Sequence, residues 1–158
     1  MPATRPPPFT IHRFGAGDIR LFRRLLALFG RVFEEPATYG DAQPDDAYLQ
    51  RLLGGDGFVA LGAVADGEVI GGLAAYVLPK FEQARSEIYV YDLAVDAAHR
   101  RRGVATALFT ALQPIAAEAG AYVIIVQADL PDAPAIALYD KLGRRETVLH
   151  FDIAVTPR

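Results

Sequence analysis

The residues with the clearest chemical meaning form a basic turn in the middle of the chain. The apolar residues Leu93, Ala94 and Val95 precede it, and after His99 come Arg100, Arg101, Arg102, Gly103, Val104, Ala105 and Thr106. We expect a strand to end at the apolar run and a helix to begin at the arginines. Three Arg at a helix N-terminus are unfavourable alone, because the helix dipole is already positive there, so a bound anion would stabilise them.

Small residues in the same turn favour a phosphate as that anion. Gly103 and Ala105 have almost no side chain, so a phosphate can approach their backbone N–H groups closely. A solvated basic turn is the alternative interpretation, because short glycine motifs occur often by chance.

A second feature is an acidic stretch without Lys or Arg, residues 34–46, which includes Glu34 and Glu35. It could form an acidic lip that attracts a cationic substrate. The alternative is a solvated loop followed by acids in the first turn of a helix.

The composition excludes several other kinds of chemistry. There is no Cys, which excludes disulfides and thiol nucleophiles, and Ser86 is the only Ser and lies outside any Gly-x-Ser-x-Gly motif. His12, His99 and His150 lack the spacing of a helical metal site, so we expect no metal. A covalent intermediate on a Cys or Ser is therefore disfavoured.

Length and charge define the class of protein. The chain has 158 residues, 52% of them hydrophobic, and a net charge of −3, which fits one globular domain and argues against general nucleic-acid binding. The longest uncharged stretch, residues 103–117, is too short for a membrane span. We expect a cytoplasmic protein with a flexible tail at residues 1–8 and one domain at residues 9–158.

The hydrophobic periodicity predicts an alternation of helices and strands. Helices are expected at residues 18–33 and 44–53, from about residue 104, and at 132–142; Pro114 should kink or end the third. Strands are expected at residues 58–65, 68–78, 87–95, 121–128 and 146–155, the first two joined by a tight Asp66-Gly67 turn. The order indicates a single α/β domain.

Two motifs in this arrangement resemble those of the GNAT superfamily of acyl-CoA-dependent N-acetyltransferases. Arg100-x-x-Gly103-x-Ala105 matches the family's pyrophosphate-binding motif, and residues 137–143 resemble its second signature, which contains Tyr139. Asp132 and Arg144 stand where many members have Asn and an aromatic residue. The resemblance implies a GNAT-type domain with a mixed, mostly antiparallel sheet flanked by about four helices, and acetyl-CoA as cosubstrate.

A narrower resemblance runs from about Leu28 to Ile153. Residues 28–31, 37–39, 75–83, 86–95, 120–124, 127–129 and 150–153 are similar to the aminoglycoside 3-N-acetyltransferases of the gentamicin acetyltransferase type. This resemblance implies a small polycationic acceptor, antibiotic resistance and a homodimer. A polyamine, another small amine or a protein amine is the alternative acceptor, and a non-catalytic CoA-binding module is the alternative from another class.

The resemblance also assigns roles in a direct attack of the amine on the thioester. Residues 100–106 would hold the coenzyme, the pantetheine would follow the edge of residues 93–95, and the Leu93 N–H would polarise the carbonyl. Tyr139 would be the acid for the leaving thiolate.

The proton acceptor stays open between Asp152 and Glu87, acting directly or through water. By the period of two, Glu87, Tyr89 and Tyr91 should share one strand face and Asp92 the other. Ion pairs with Arg are the plain alternative for each carboxylate. The candidate acceptor-binding residues are Glu34, Glu35, Tyr91, Asp92, Asp129 and Asp152.

Overall fold

The computed structural model describes residues 8–158, which form two compact units, one ending at Gln127 and one spanning Ala128–Arg158. The strands of the first unit are β1 (Thr10–Arg13), β2 (Phe58–Ala65), β3 (Glu68–Pro79), β4 (Ser86–Val95) and β5 (Ala121–Val126). Its α-helices are α1 (Ile19–Val32), α2 (Asp46–Gly54) and α3 (Val104–Glu118), with a π-helical turn at Ala37–Asp41 and a 3-10 turn at Ala97–His99. The second unit contains α4 (Ala133–Leu142).

The strands form one mixed sheet in the order β1-β2-β3-β4-β5. The pairs β1–β2, β2–β3 and β3–β4 are antiparallel, and β4–β5 is parallel. The Asp66-Gly67 turn between β2 and β3 has positive φ at both residues, 50° and 77°, as the dipeptide predicts.

Helices α1 and α3 cover opposite faces of this sheet. A Cβ added at Gly71 would meet the Val104 side chain of α3, whereas one added at Gly72 would meet Leu25 of α1. Consecutive strand residues point to opposite faces of a sheet, so these contacts put α3 on the face of Gly71 and α1 on the face of Gly72. Leu25 and Leu28 on one side and Leu108 on the other are fully buried.

Most of the predicted elements are confirmed within two residues of their ends. Helix α3 begins at Val104, so the start expected at the arginines is wrong and these residues lie in the preceding turn. The helix continues past Pro114 to Glu118, so Pro114 does not end it. Strand β1 was not predicted, because a four-residue edge strand carries too little periodicity. The tail predicted at residues 1–8 falls almost wholly on residues 1–7, outside the described part.

The predicted last strand at residues 146–155 is also wrong. These residues have no strand pairing, and the side chains of Phe151 and Ile153 are 78% and 88% exposed. Their alternating pattern is typical of a strand, but a strand also needs a partner whose backbone completes the hydrogen-bond ladder.

Close packing between β3 and α1 gives a stability test. A Cβ at Gly72 would lie 2.7 Å from the Leu61 carbonyl oxygen and would also meet the Leu25 side chain. We therefore expect Gly72→Ala to lower the free energy of unfolding by about 1–3 kcal/mol in urea denaturation. Gly57→Ala is the matched control, because a Cβ there has no atom within 4 Å. Equal midpoints for the two variants would contradict this packing argument.

Candidate functional site

An irregularity in β4 shapes the central part of the site. Asp92 pairs with Ala74 and Val90 pairs with Ala75, so Tyr91 is an extra residue in the ladder, a β-bulge. Tyr91 and Asp92 consequently line the same cavity. The prediction that they face opposite sides is wrong, because the period of two holds only for a regular strand.

The same strand loses its outer neighbour near the bulge. The parallel pairing of β4 with β5 runs from Ser86 to Val90, and no described β5 residue pairs with β4 beyond that point. The Tyr89 hydroxyl donates to Gln127 Oε1 at 2.7 Å where the two strands part. Residues 91–95 thus have an open edge, toward which some of their backbone polar groups point.

The basic turn follows directly on this open edge. Asp96 accepts a hydrogen bond from the Ala98 N–H at 3.0 Å, and Arg100 Nε donates to the Val95 carbonyl at 3.4 Å. Arg101 and Gly103 have φ of 60° and 76°, in the left-handed region. The chain therefore curls tightly before α3, which brings successive N–H groups toward one side.

The turn fits a phosphate group. Among residues 8–158 no side chain caps the N-terminus of α3, and the first turn of this helix holds no acidic residue. A Cβ at Gly103 would have no atom within 4 Å, so the space beside this backbone is open. Uncapped N–H groups, the positive end of the helix dipole and three Arg are an arrangement that binds anions.

A cavity of about 220 Å³ lies beside the bulge and is mostly aromatic. The Tyr76 and Tyr91 rings meet edge to face at 5.9 Å, and Tyr76 contacts Phe58 at 5.3 Å. Asp92 is the only charged residue among those that line this cavity, which are Phe22, Leu26, Phe29, Tyr39, Pro44, Tyr48, Leu49, Leu52, Phe58, Ala74, Tyr76, Tyr91 and Asp92. Aromatic faces around one carboxylate suit an organic cation.

The Asp92 carboxylate is held by a phenol from another element. The Tyr39 hydroxyl donates to Asp92 Oδ2 at 2.9 Å. Burial raises the pKa of Asp92 above its ordinary value, the Tyr39 hydrogen bond lowers it in part, and the negative charge of Glu35 raises it further. Burial, together with Asp92, also raises the pKa of Tyr39, so the phenol keeps its proton.

Sequence reasoning missed Tyr39 as a site residue, although it lies in a segment of the narrower resemblance. The Tyr39 ring, in the π-helical turn Ala37–Asp41, contacts Phe29 and Phe33, at 5.8 and 5.6 Å between ring centroids. Gln43 Nε2 donates to the Tyr39 carbonyl at 2.8 Å. No local pattern predicts a contact between Tyr39 and a carboxylate 53 residues later in the chain.

Glu87 has structural partners at the other end of β4. It accepts a hydrogen bond from the Tyr122 hydroxyl at 2.5 Å and lies 3.4 Å from Lys80 Nζ. The Tyr122 hydrogen bond is the main cause that lowers the pKa of Glu87. Four residues of strand lie between it and Asp92, a span of about 16 Å.

The remaining candidates differ in their surroundings. Glu34 and Glu35 are exposed in the first unit. Asp129, Tyr139 and Asp152 belong to the second unit. Within that unit Asp152 Oδ1 lies 2.8 Å from His150 Nε2, with both side chains exposed. Burial raises the pKa of Tyr139 to about 12, and the charge of Asp132 contributes.

Two further observations concern metals and membranes. Residues 8–158 contain no group of three or more His, Asp or Glu arranged to hold a metal ion. Across the same residues, no helix combines the length and the apolar character that crossing a membrane requires.

Comparison with known proteins gives one family and several solved structures. The model of the acetyltransferase (GNAT) family matches residues 22–143. An aminoglycoside acetyltransferase from an uncultured soil metagenomic sample is 56% identical, with a TM-score of 0.91 over 94% of this chain and 99% of that one. A second aminoglycoside acetyltransferase from such a sample, crystallised with sisomicin, is 32% identical, with a TM-score of 0.86 over 94% of this chain and 97% of that one.

A ribosomal-protein-alanine N-acetyltransferase from Brucella melitensis biovar Abortus 2308 is also similar. It is 25% identical, with a TM-score of 0.70 over 94% of this chain and 99% of that one. No curated protein is similar enough in sequence to add to these findings.

The opposite environments of Asp92 and Glu87 predict opposite effects on stability. Folding raises the pKa of Asp92, so the ionised carboxylate opposes folding at pH 7. We expect Asp92→Asn to be more stable than wild type in urea at pH 7. This gain should vanish as the pH falls below about 4, the ordinary Asp value, where wild type is protonated too.

Glu87→Gln is the contrasting variant. Folding lowers the pKa of the Glu87 carboxylate, so its charge stabilises the fold at pH values above the ordinary pKa of Glu. This contribution is lost as the pH falls through the pKa of the folded state. The variant should therefore be less stable than wild type at pH 7 and equal to it in acid. Changes of the same sign in the free energy of unfolding at pH 7 for both variants would contradict these electrostatic assignments.

Proposed function

The chain belongs to the GNAT acetyltransferase family, whose members use acetyl-CoA, and we propose that it acetylates an amine of an aminoglycoside, at the 3-amino group. The observation that carries this proposal is the half-buried Asp92 carboxylate in an aromatic cavity beside the open edge of β4. The 56% identity to an aminoglycoside acetyltransferase over 94% of the chain supports the same substrate class.

The basic turn would bind the coenzyme. Its N–H groups from Gly103 to Thr106 and the Arg100–Arg102 side chains would neutralise the pyrophosphate. Acetyl-CoA supplies the activated thioester carbonyl. The open edge of β4 would take the pantetheine arm, and the Leu93 N–H would donate to the carbonyl oxygen.

The chemistry would be a direct attack with both substrates bound. The chain has no Cys, and its single Ser, Ser86, is buried in β4, so no described residue offers a covalent acetyl carrier. Tyr139 would give its proton to the leaving thiolate. With a pKa of about 12 it is protonated at neutral pH, as a general acid must be.

Recognition of the acceptor would rest on negative charge. An aminoglycoside carries several ammonium groups, and a single exposed ion pair contributes only about 0–1 kcal/mol, so several carboxylates are needed. Asp92 would bind one ammonium in the cavity, where low solvent access strengthens the attraction. Glu34, Glu35, Asp129 and Asp152 are exposed carboxylates that would attract the others.

A protein or peptide amine is the second candidate acceptor. The relative from Brucella is a ribosomal-protein-alanine N-acetyltransferase at 25% identity, and a protein α-amine is also a cation before it reacts. The aromatic cavity favours a compact cationic molecule over an extended peptide, which would require a groove. We therefore rank the aminoglycoside first.

The proposal extends to assembly and location. On the resemblance to the gentamicin-type acetyltransferases, we propose a gentamicin-like substrate. The protein would then confer antibiotic resistance and act in the cytoplasm. A homodimer is supported by the exposed Phe151, Ile153 and Val155, which a single chain leaves in water. Light scattering should give a mass near twice 17.1 kDa, and a monomeric mass at micromolar concentration would contradict it.

A thiol-release assay with a panel of amines tests the function. With acetyl-CoA, we expect turnover on sisomicin and gentamicin, and mass spectrometry with NMR should place the acetyl group on the 3-amino nitrogen. Spermidine and an N-terminal alanine peptide are the comparison acceptors. Turnover on the peptide alone would favour the second candidate, and coenzyme binding without turnover on any amine would contradict an enzyme.

Gly103→Glu tests the coenzyme site in the same assay. Its carboxylate would occupy and repel the pyrophosphate position, so calorimetry should show no acetyl-CoA binding by a folded protein. Gly103→Ala is the control, because it imposes the same positive φ on a side chain without adding charge. Wild-type affinity in Gly103→Glu would contradict the assignment of the turn.

A further inference from the structure

We propose that Asp92 is the general base that takes a proton from the acceptor amine, and that Tyr39 positions its carboxylate; this rests on the proposed acetyl transfer. Sequence reasoning left the base open between Asp152 and Glu87. The geometry of β4 points to a third carboxylate, located at the bulge itself.

The first argument is the position of Asp92 along the strand. It directly precedes Leu93, whose N–H is the proposed donor to the thioester carbonyl, so the two Cα atoms are about 3.8 Å apart. A base has to lie within hydrogen-bond reach of the attacking nitrogen, which in turn must approach the carbonyl carbon. Asp92 is the only carboxylate that lines the cavity and also adjoins this backbone.

The second argument is what surrounds the carboxylate. The titratable groups facing it are Tyr39 and Glu35 before α2, Tyr76 on β3 and Tyr91 on β4, while Tyr48 of α2 lines the same cavity. In the described part of the chain, no Lys or Arg forms an ion pair with Asp92. A substrate ammonium group would therefore meet a carboxylate that no described cation already neutralises.

The third argument is how Tyr39 divides the two carboxylate oxygens. Its hydroxyl donates to Oδ2 at 2.9 Å, which fixes the orientation of the group and leaves Oδ1 for another donor. Tyr39 itself is anchored by Phe29, Phe33 and Gln43. The carboxylate is thus pre-oriented before the substrate binds, which is what an efficient proton acceptor requires.

The rival carboxylates lack these properties. Glu87 is bound to Tyr122 and Lys80 at the far end of β4. The Asp152 side chain is 96% exposed and adjoins His150 in the second unit. A base engaged in an ion pair, or fully solvated, has no raised affinity for the proton of an ammonium group.

The proton balance is complete without another reagent. The ammonium nitrogen gives one proton to Asp92, which returns it to solvent after turnover. The neutral amine forms the N–C bond, the C–S bond breaks, and its electron pair goes to sulfur. The nitrogen then loses its second proton to solvent as the amide forms, Tyr139 protonates the thiolate, and solvent restores the Tyr139 hydroxyl.

The test compares Asp92→Asn with Asp66→Asn, the same change at an exposed turn. With acetyl-CoA and sisomicin, Asp92→Asn should lower kcat by about 100-fold or more and abolish the acidic limb of the pH profile. Its acetyl-CoA affinity in calorimetry should equal that of wild type, and Asp66→Asn should behave as wild type throughout. Unchanged kcat in Asp92→Asn, or a raised KM with the acidic limb retained, would overturn the base assignment.

Tyr39→Phe separates positioning from a merely structural role. The Tyr39 hydrogen bond lowers the pKa of Asp92, so its loss should raise that pKa and move the acidic limb to higher pH. The same upward shift should appear in the ¹³C carboxyl titration of Asp92 in the free protein, a signal identified by its absence in Asp92→Asn. Tyr139→Phe should lower kcat without moving this limb. If Tyr39→Phe left both the acidic limb of the pH profile and the ¹³C titration of Asp92 unchanged, the positioning role would be overturned.

The outcome for wild type distinguishes this proposal from the proposed function. If wild type acetylates spermidine rather than sisomicin, the substrate class is wrong, and the same pH profile with spermidine still decides the role of Asp92. A wild type without turnover on any amine overturns both proposals. An active wild type with a fully active Asp92→Asn overturns the base alone.

Discussion

The bulge at Tyr91 is the constraint on which the rest of the site depends. One extra residue in β4 turns Tyr91 and Asp92 toward the same cavity, close to where the pairing with β5 ends. The strand core before the bulge, Ile88 and Val90, remains buried. A single departure from strand regularity thus brings together a carboxylate, an aromatic wall and an open backbone edge.

The first two helices and their connection complete the surroundings of that carboxylate. Arg23 of α1 donates to Gln43 Oε1 and pairs with Asp46, both at 2.6 Å, so the connecting segment is bound to the helix before and the helix after it. Phe29 and Phe33 pack against Tyr39 and hold its hydroxyl over Asp92. The acidic segment therefore contributes a tyrosine whose hydroxyl orients the Asp92 carboxylate inside the cavity.

The two carboxylates of β4 have opposite effects on folding. Glu87 has a lysine and a tyrosine as partners, and its lowered pKa means that its charge favours folding. Asp92 is half-buried without a basic partner among the described residues, and its raised pKa means that its charge opposes folding. A destabilising charge that the protein retains is typical of a functional site, because the substrate provides the missing counter-charge.

The sequence by itself determined the family, most element boundaries and the basic turn, because these depend on local patterns: periodicity, turn residues and the spacing Arg100-x-x-Gly103-x-Ala105. It also predicted Asp92 as a candidate site residue, but with the wrong facing, since no period reveals a bulge. It missed the Tyr39–Asp92 hydrogen bond and predicted a strand at residues 146–155 that has no partner. Only the tertiary structure decided these points, because a bulge, a strand pairing and a contact across 53 residues depend on which distant segments meet, and local residue preference does not encode that.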